Sequence, residues 1–174
     1  MSGLCFRKAT DSDVDRVVAL VNSAYRGESS RRGWTTEADF LDGQRTDVEE
    51  IANLIGTEGS MVLLCFQDAA LIGSVHLERA ADAAYLGMFT VKPTLQGQGI
   101  GKRFMDEAER TVREKWGLNK MRMLVISLRS ELIAFYERRG YRRTGEFKPF
   151  PTDIRFGIPK VNKLQFEVLE KTLS

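Results

Sequence analysis

Apolar residues recur along this 174-residue chain with two periods, one near two and one near 3.6, and their alternation lays out the elements. An apolar run at residues 4–7 predicts a first strand. Thr10 and Asp13 form a capping-box-like pair ahead of Val14, Val17, Val18 and Val21, which share one helical face, and this helix is expected to end near Tyr25. After a polar, glycine-flanked stretch at 26–33, a threonine in Trp34-Thr35-Thr36-Glu37 is expected to cap a short helix reaching Leu41. Thr46 and Glu49 repeat the capping pattern before Val48, Ile51, Ala52 and Ile55.

Period two takes over at residue 60. Residues 60–66 and 71–78 flank the turn Gln67-Asp68-Ala69 and predict a hairpin, and residues 84–91 predict a third strand that Pro93 closes. Ile100, Phe104, Ala108 and Val112 then recur at intervals of four on a helix that Gly117 ends. Residues 121–126 read as a strand and 130–139 as an amphipathic helix stopped by Gly140. A strand starts at Tyr141 and a last one lies at 166–169. The expected fold class is therefore α/β with a mixed sheet: antiparallel hairpins first, then one strand-helix-strand-helix-strand unit.

Composition narrows the class of partner. A hydrophobic share of 43% and a charged share of 29% suit one globular domain over residues 1–174. The net charge is only +2, with basic residues spread along the chain, so neither nucleic acid nor an anionic membrane is an expected partner. The longest apolar run, residues 61–66, is far short of the roughly 20 residues of a membrane span. The first residues lack a secretory pattern, so the expected location is cytoplasmic. Cys5 and Cys65 fall in strand-like stretches and read as reduced thiols. With His76 the sole histidine, no metal site is expected.

The segment Gln96-Gly97-Gln98-Gly99-Ile100-Gly101 carries the chemistry. Glycines between a strand and a helix let backbone amides converge, and the helix start adds unpaired amides and a positive dipole end, which suits phosphate oxygens. A P-loop fails here, because Gln96 stands where its first glycine belongs and Arg103 where its hydroxyl belongs. A dinucleotide fingerprint fails because Lys102 replaces its third glycine. What fits is Gln/Arg-x-x-Gly-x-Gly/Ala, at Gln96, Gly99 and Gly101. Downstream, Leu132-Ile133-Ala134-Phe135-Tyr136-Glu137-Arg138-Arg139-Gly140-Tyr141 supplies a tyrosine-bearing helix closing on glycine and an aromatic. With both motifs, in this order, the sequence resembles the GNAT superfamily of N-acetyltransferases over residues 60–145.

The resemblance implies a GNAT-type acyl-CoA N-acyltransferase fold, with a mostly antiparallel sheet, one parallel strand pair and flanking helices. It divides the domain into acceptor-side helices (1–56), a CoA-binding core (59–145) and a C-terminal loop and strand (146–174). The implied activity is transfer of an acetyl group from acetyl-CoA to a primary amine of a small molecule or peptide, by direct attack in a ternary complex. A non-catalytic CoA-binding module, another acyl-CoA and a hydroxyl acceptor are alternatives. Pyrophosphate would lie on the amides of Gln96, Gly97, Gln98, Gly99, Ile100 and Gly101, with Lys102 or Arg103 as charge partners. Pantetheine would pair with Phe89, Thr90 and Val91. A bulge, with Gly87 as its hinge, would turn an amide near Met88 or Phe89 toward the thioester oxygen. Tyr136 would protonate the departing sulfur. Arg129 stands where the family often has asparagine, and it would either contact a CoA phosphate or be solvated.

The base is open. His76 and Glu78 share one strand face with Ser74, and a base acting through water is common in the family. Acceptor contacts are expected from Tyr25, Trp34 and Glu37, along with Arg26, Thr35 and Asp39. Glu37 suits a cationic amine, whereas Arg31 and Arg32 suit a carboxylate or form a solvated turn. The aromatic, proline-bearing segment 147–160 would fold over the acceptor site or form a homodimer contact.

Overall fold

The computed structural model describes residues 3–26, 37–38, 41–42, 44–150, 158–160 and 164–173. Strand β1 (Leu4–Lys8) leads through a single 3₁₀ turn into helix α1 (Val14–Tyr25). Asp13 anchors that turn. Its buried carboxylate accepts from the Thr10 amide at 2.8 Å and from the Arg7 guanidinium at 2.8 Å, and the Arg7 hydrogen bond holds its carboxyl well below the usual range.

The short helix expected across Trp34 falls largely outside the described residues. Leu41 itself is in a strand, because β2 (Leu41–Asp42) pairs antiparallel with β8 (Ile158–Pro159). Helix α2 (Val48–Gly56) is capped by Asp47, whose carboxylate accepts from the Glu50 amide at 2.8 Å. The expected cap, Thr46, sits one residue too early to reach that amide, and its hydroxyl bonds the Glu50 side chain instead.

Strands β3 (Ser60–Gln67), β4 (Ala70–Arg79) and β5 (Ala84–Val91) form an antiparallel meander. Helix α3 (Ile100–Trp116), β6 (Lys120–Ile126), helix α4 (Ser130–Arg138), β7 (Arg142–Pro149) and β9 (Gln165–Thr172) complete the chain. The seven-stranded order is β1-β3-β4-β5-β6-β9-β7. The sheet is antiparallel throughout except for β5 against β6, where α3 makes the crossover. Thus the last strand inserts between β6 and β7, and β7 becomes an edge that is exposed along its whole length.

Helices cover both faces. On one, Phe104, Met105, Ala108 and Val112 of α3 and Ile133 and Tyr136 of α4 pack on Val75, Leu77, Met121 and Met123. On the other, Val14, Val17 and Val21 of α1 and Ile51 of α2 pack on Val62, Leu64 and Met88. Gly73 lets β4 pass close under α3, since a Cβ there would lie 3.0 Å from both the Phe104 ring and the Thr90 carbonyl oxygen and would press on both.

Candidate active site

Two defects in β5 open the middle of the sheet. The first is a bulge. His76 stands opposite Gly87 and Ser74 opposite Thr90, so Met88 and Phe89 together face the single residue Val75. Met88 absorbs the irregularity with φ of 48°, a left-handed conformation that costs a side-chain-bearing residue roughly 1–2 kcal/mol. Gly87 does not act as the hinge: it stays in register, and its missing Cβ leaves room beside His76, whose Nδ1 such a Cβ would approach to 3.8 Å. Two hydroxyls hold the strained turn. Thr90 Oγ1 donates to the Met88 carbonyl at 2.9 Å, and Tyr25 Oη donates to the Phe89 carbonyl at 3.0 Å. The second defect is a splay. Parallel pairing joins only Ala84, Leu86 and the residue between them to Met121–Met123, while both strands run on and β6 follows β9 as far as Ile126.

A cavity of about 400 Å³ fills the opening on the α3 side. Its wall includes Phe89, Thr90, Val91, Gln96, Gly97, Gly99, Gly101, Lys102 and Arg129. Gln96 braces this wall, its amide nitrogen donating to the Val91 carbonyl at 2.9 Å. Gly97 and Gly99 have φ of 84° and 82°, and nothing lies within 4 Å of where their Cβ atoms would be. Glycine is thus needed there for conformation, and the space over both residues is open toward the first amides of α3. Arg139 lies against the Phe135 ring at 5.1 Å, and its buried Nε has no hydrogen-bond partner among the described residues. With Lys102 and Arg138 on the same wall, an open glycine cradle, three cations and a partnerless buried donor fit a polyphosphate such as that of CoA.

A second cavity, also of about 400 Å³, lies on the far side of the splay. The two share Tyr25, Phe89, Arg129, Leu132 and Tyr136, so they meet at the bulge. Tyr136 sits at that junction, with its ring edge-on to Phe89, Phe135 and Tyr141. Burial pushes its phenol well above the ordinary value, Tyr25 and Glu37 add in the same sense, and Arg129 opposes them. The hydroxyl therefore keeps its proton near neutral pH.

The second cavity also contains a buried ion cluster. Glu37 takes Arg26 Nη2 at 2.8 Å on one oxygen and Arg129 Nη1 at 3.1 Å on the other. Arg129 is buried rather than solvated: it ties the start of α4 to Glu37 and also lines the α3-side cavity. Both Glu37 oxygens are engaged by arginines within the protein, which sets it apart from a carboxylate available to a cationic amine.

His76 lines the same cavity. The Ser60 hydroxyl donates to the Leu54 carbonyl at 2.8 Å, so it accepts from His76 Nε2 at 2.9 Å. That hydrogen bond places the imidazole proton on Nε2 and leaves the Nδ1 lone pair toward Gly87. Burial, with a smaller contribution from Arg45, pushes His76 down to about 4, so the ring is neutral at pH 7. Glu78, half exposed, is 3.8 Å from His76 Nε2.

The two cavities collect most of the residues expected from sequence. Met88 lines the second rather than the first, the Ile100 side chain is buried in the core, and Gln98 is exposed outside both. Trp34, Thr35, Arg31, Arg32 and Asp39 lie outside the described residues. Sequence reasoning missed Arg45, Arg138 and Arg139, each of which lines a cavity. The available signal was that Arg138 and Arg139 close the tyrosine helix that had already been singled out. Among the described residues no cluster of three His, Cys, Asp or Glu side chains is placed to hold a metal, and no helix is long and apolar enough to cross a membrane.

A mostly antiparallel sheet that splays at its one parallel pair, with a glycine-cradled helix start in the opening, is the fold of the acyl-CoA N-acyltransferases. Residues 25–150 match the family model described as an acetyltransferase (GNAT) domain. The chain is 32% identical to a spermidine N(1)-acetyltransferase of Thermoplasma acidophilum over 147 residues, covering 78% of this chain and 86% of that protein. Among solved structures, the ribosomal-protein-S18-alanine N-acetyltransferase of Escherichia coli superposes with a TM-score of 0.72 at 13% identity, over 99% of this chain and 95% of that one. The PaiA N-acetyltransferase of Thermoplasma acidophilum, solved with coenzyme A, gives 0.67 at 23% identity, over 98% and 99%. The protein belongs to the GNAT family and is an acyl-CoA-dependent N-acetyltransferase.

Proposed function

We propose that the α3-side cavity holds acetyl-CoA and the second cavity an amine acceptor, with transfer by direct attack at the bulge where the two meet. The observation that carries this reading is the shared wall of Tyr25, Phe89, Arg129, Leu132 and Tyr136, which lets two ligands enter from opposite sides and touch. When bound, acetyl-CoA supplies the thioester that carries the acetyl group. Its phosphates are assigned to the amides opened by Gly97 and Gly99, with Lys102, Arg138 and Arg139 as charge partners. The amides of Met88 and Phe89, displaced from ladder register by the bulge, are assigned to the carbonyl oxygen.

Tyr136 is the proton donor to the leaving sulfur, which its raised pKa and position support. The amine proton leaves toward the His76 and Glu78 wall, where a neutral imidazole presents an unprotonated Nδ1 and a half-exposed carboxylate stands beside it. The spermidine N(1)-acetyltransferase relative supports an amine as the acceptor. In a thiol-release assay, Tyr136→Phe is expected to lower turnover roughly 100-fold while leaving acetyl-CoA binding intact. Wild-type turnover in that variant would remove Tyr136 from the mechanism.

A further inference from the structure

Six charged side chains line the second cavity, and their pairing is uneven. Arg26 and Arg129 are both bonded to Glu37. Glu50 receives the Thr46 hydroxyl, and Glu78 stands at the half-exposed end near His76. The remaining charge is Arg45, whose guanidinium has no carboxylate within ion-pair reach among the described residues. Its contact is with the face of Tyr25, 5.5 Å from the ring centroid, and Arg129 lies 5.7 Å from the same ring.

Two features make this arginine more than a solvated surface charge. Its backbone is clamped: Asn22 Oδ1 accepts from the Arg45 amide at 2.7 Å and the Thr46 amide at 2.9 Å, while Asn22 Nδ2 donates to the Thr46 carbonyl at 3.0 Å. In addition, Tyr25, on which it rests, donates its own hydroxyl to the Phe89 carbonyl at the bulge. A preorganised guanidinium is thus held one aromatic ring away from the place where an attacking amine must sit.

We infer that the acceptor is an amine with a carboxylate on the neighbouring carbon, an α-amino acid in chemical class, and that Arg45 pairs with that carboxylate. This rests on the second cavity being the acceptor side. The charge balance supports a zwitterion, because the three arginines and three glutamates lining the cavity cancel. A polycation would bring its charge against Arg45 and Arg129 at the bulge end of the cavity, with Glu50 engaged by Thr46 and Glu78 at the half-exposed end.

The test is a thiol-release panel with acetyl-CoA in which each common amino acid is run beside its own carboxamide, with spermidine and putrescine included, on wild type, Arg45→Gln and Arg45→Lys. At least one amino acid should exceed its carboxamide in kcat/KM by on the order of tenfold or more. Arg45→Gln should abolish that preference by raising KM with little change in kcat, and Arg45→Lys should restore part of it. The acetyl-CoA-induced rise in Tm should be equal in all three. Preference for spermidine, parity of acid and carboxamide, or no turnover by any member while acetyl-CoA still stabilises the protein would overturn the inference and leave the cofactor assignment standing. Failure of acetyl-CoA to stabilise wild type would instead overturn that assignment, and this inference with it.

Discussion

His76 is largely buried and neutral with a fixed tautomer, and this has a thermodynamic signature separate from any part in catalysis. In the unfolded chain an ordinary histidine takes up its proton near 6.5, whereas the folded protein resists protonation down to about 4. The native state therefore binds fewer protons than the unfolded state across that window, and stability falls as pH drops from about 6.5 toward 4. Between pH 7 and pH 5 the loss should be about 2 kcal/mol in urea denaturation, and His76→Gln should remove most of it. Asp13, whose folded pKa is depressed, keeps its full contribution above the usual carboxylate range and loses it only as pH falls below that range, so it does not obscure the comparison. An unchanged slope in His76→Gln would show that the imidazole is not held neutral. Strand alternation alone had put Ser74, His76 and Glu78 on one face, and Val75 and Leu77 on the other do pack in the core beneath α3. The tautomer was beyond reach, because it depends on Ser60 and Leu54 from neighbouring elements. Arg45 was equally hidden, since a guanidinium over an aromatic ring and one on the surface look alike in sequence.

At the scale of elements, β5 and the turn after it make the site. The bulge was legible from the family likeness, and the irregularity falls at Met88 and Phe89 as expected, but its hinge was not: the glycine suggested Gly87, whereas the left-handed residue is Met88. Side-chain clamps from Thr90 and Tyr25, the latter 64 residues away in sequence, pay for that conformation, and propensity carries no record of them. The glycine turn was the clearer signal, because a strand, closely spaced glycines and an amphipathic helix are all local. Its two ends permit a controlled experiment. Gly99 and Gly117 flank the same helix, with φ of 82° and 64°, and nothing lies within 4 Å of where a Cβ would sit at either one. Gly99→Asp and Gly117→Asp should each cost roughly 1 kcal/mol of stability through the left-handed backbone. Only Gly99→Asp should also suppress the response to acetyl-CoA, by crowding the cradle and repelling phosphate. Equal suppression in both variants would detach the cofactor from this turn.

For the whole molecule, element order was readable and spatial order was not. Local periodicity placed nearly every strand and helix of the sheet, yet it could not reveal that β9 inserts between β6 and β7, because strand adjacency is decided by long-range pairing. The β2 and β8 pair was invisible for a related reason: two residues on each side are too short to carry a period. That pairing, with Lys160 Nζ donating to the Ala38 carbonyl at 2.9 Å, ties one end of the proline-bearing segment beside Glu37, and at the other end Phe150 lines the second cavity. In the proposed arrangement the sheet separates the cavity assigned to the cofactor phosphates from the cavity assigned to the acceptor, and the two meet at one bulge.

Thermal denaturation of the wild-type protein against increasing acetyl-CoA tests that arrangement most directly. Specific binding to the folded state should raise Tm progressively, reaching about 2.7 kcal/mol of stabilisation at a hundred times Kd. An unchanged Tm at millimolar acetyl-CoA would contradict it.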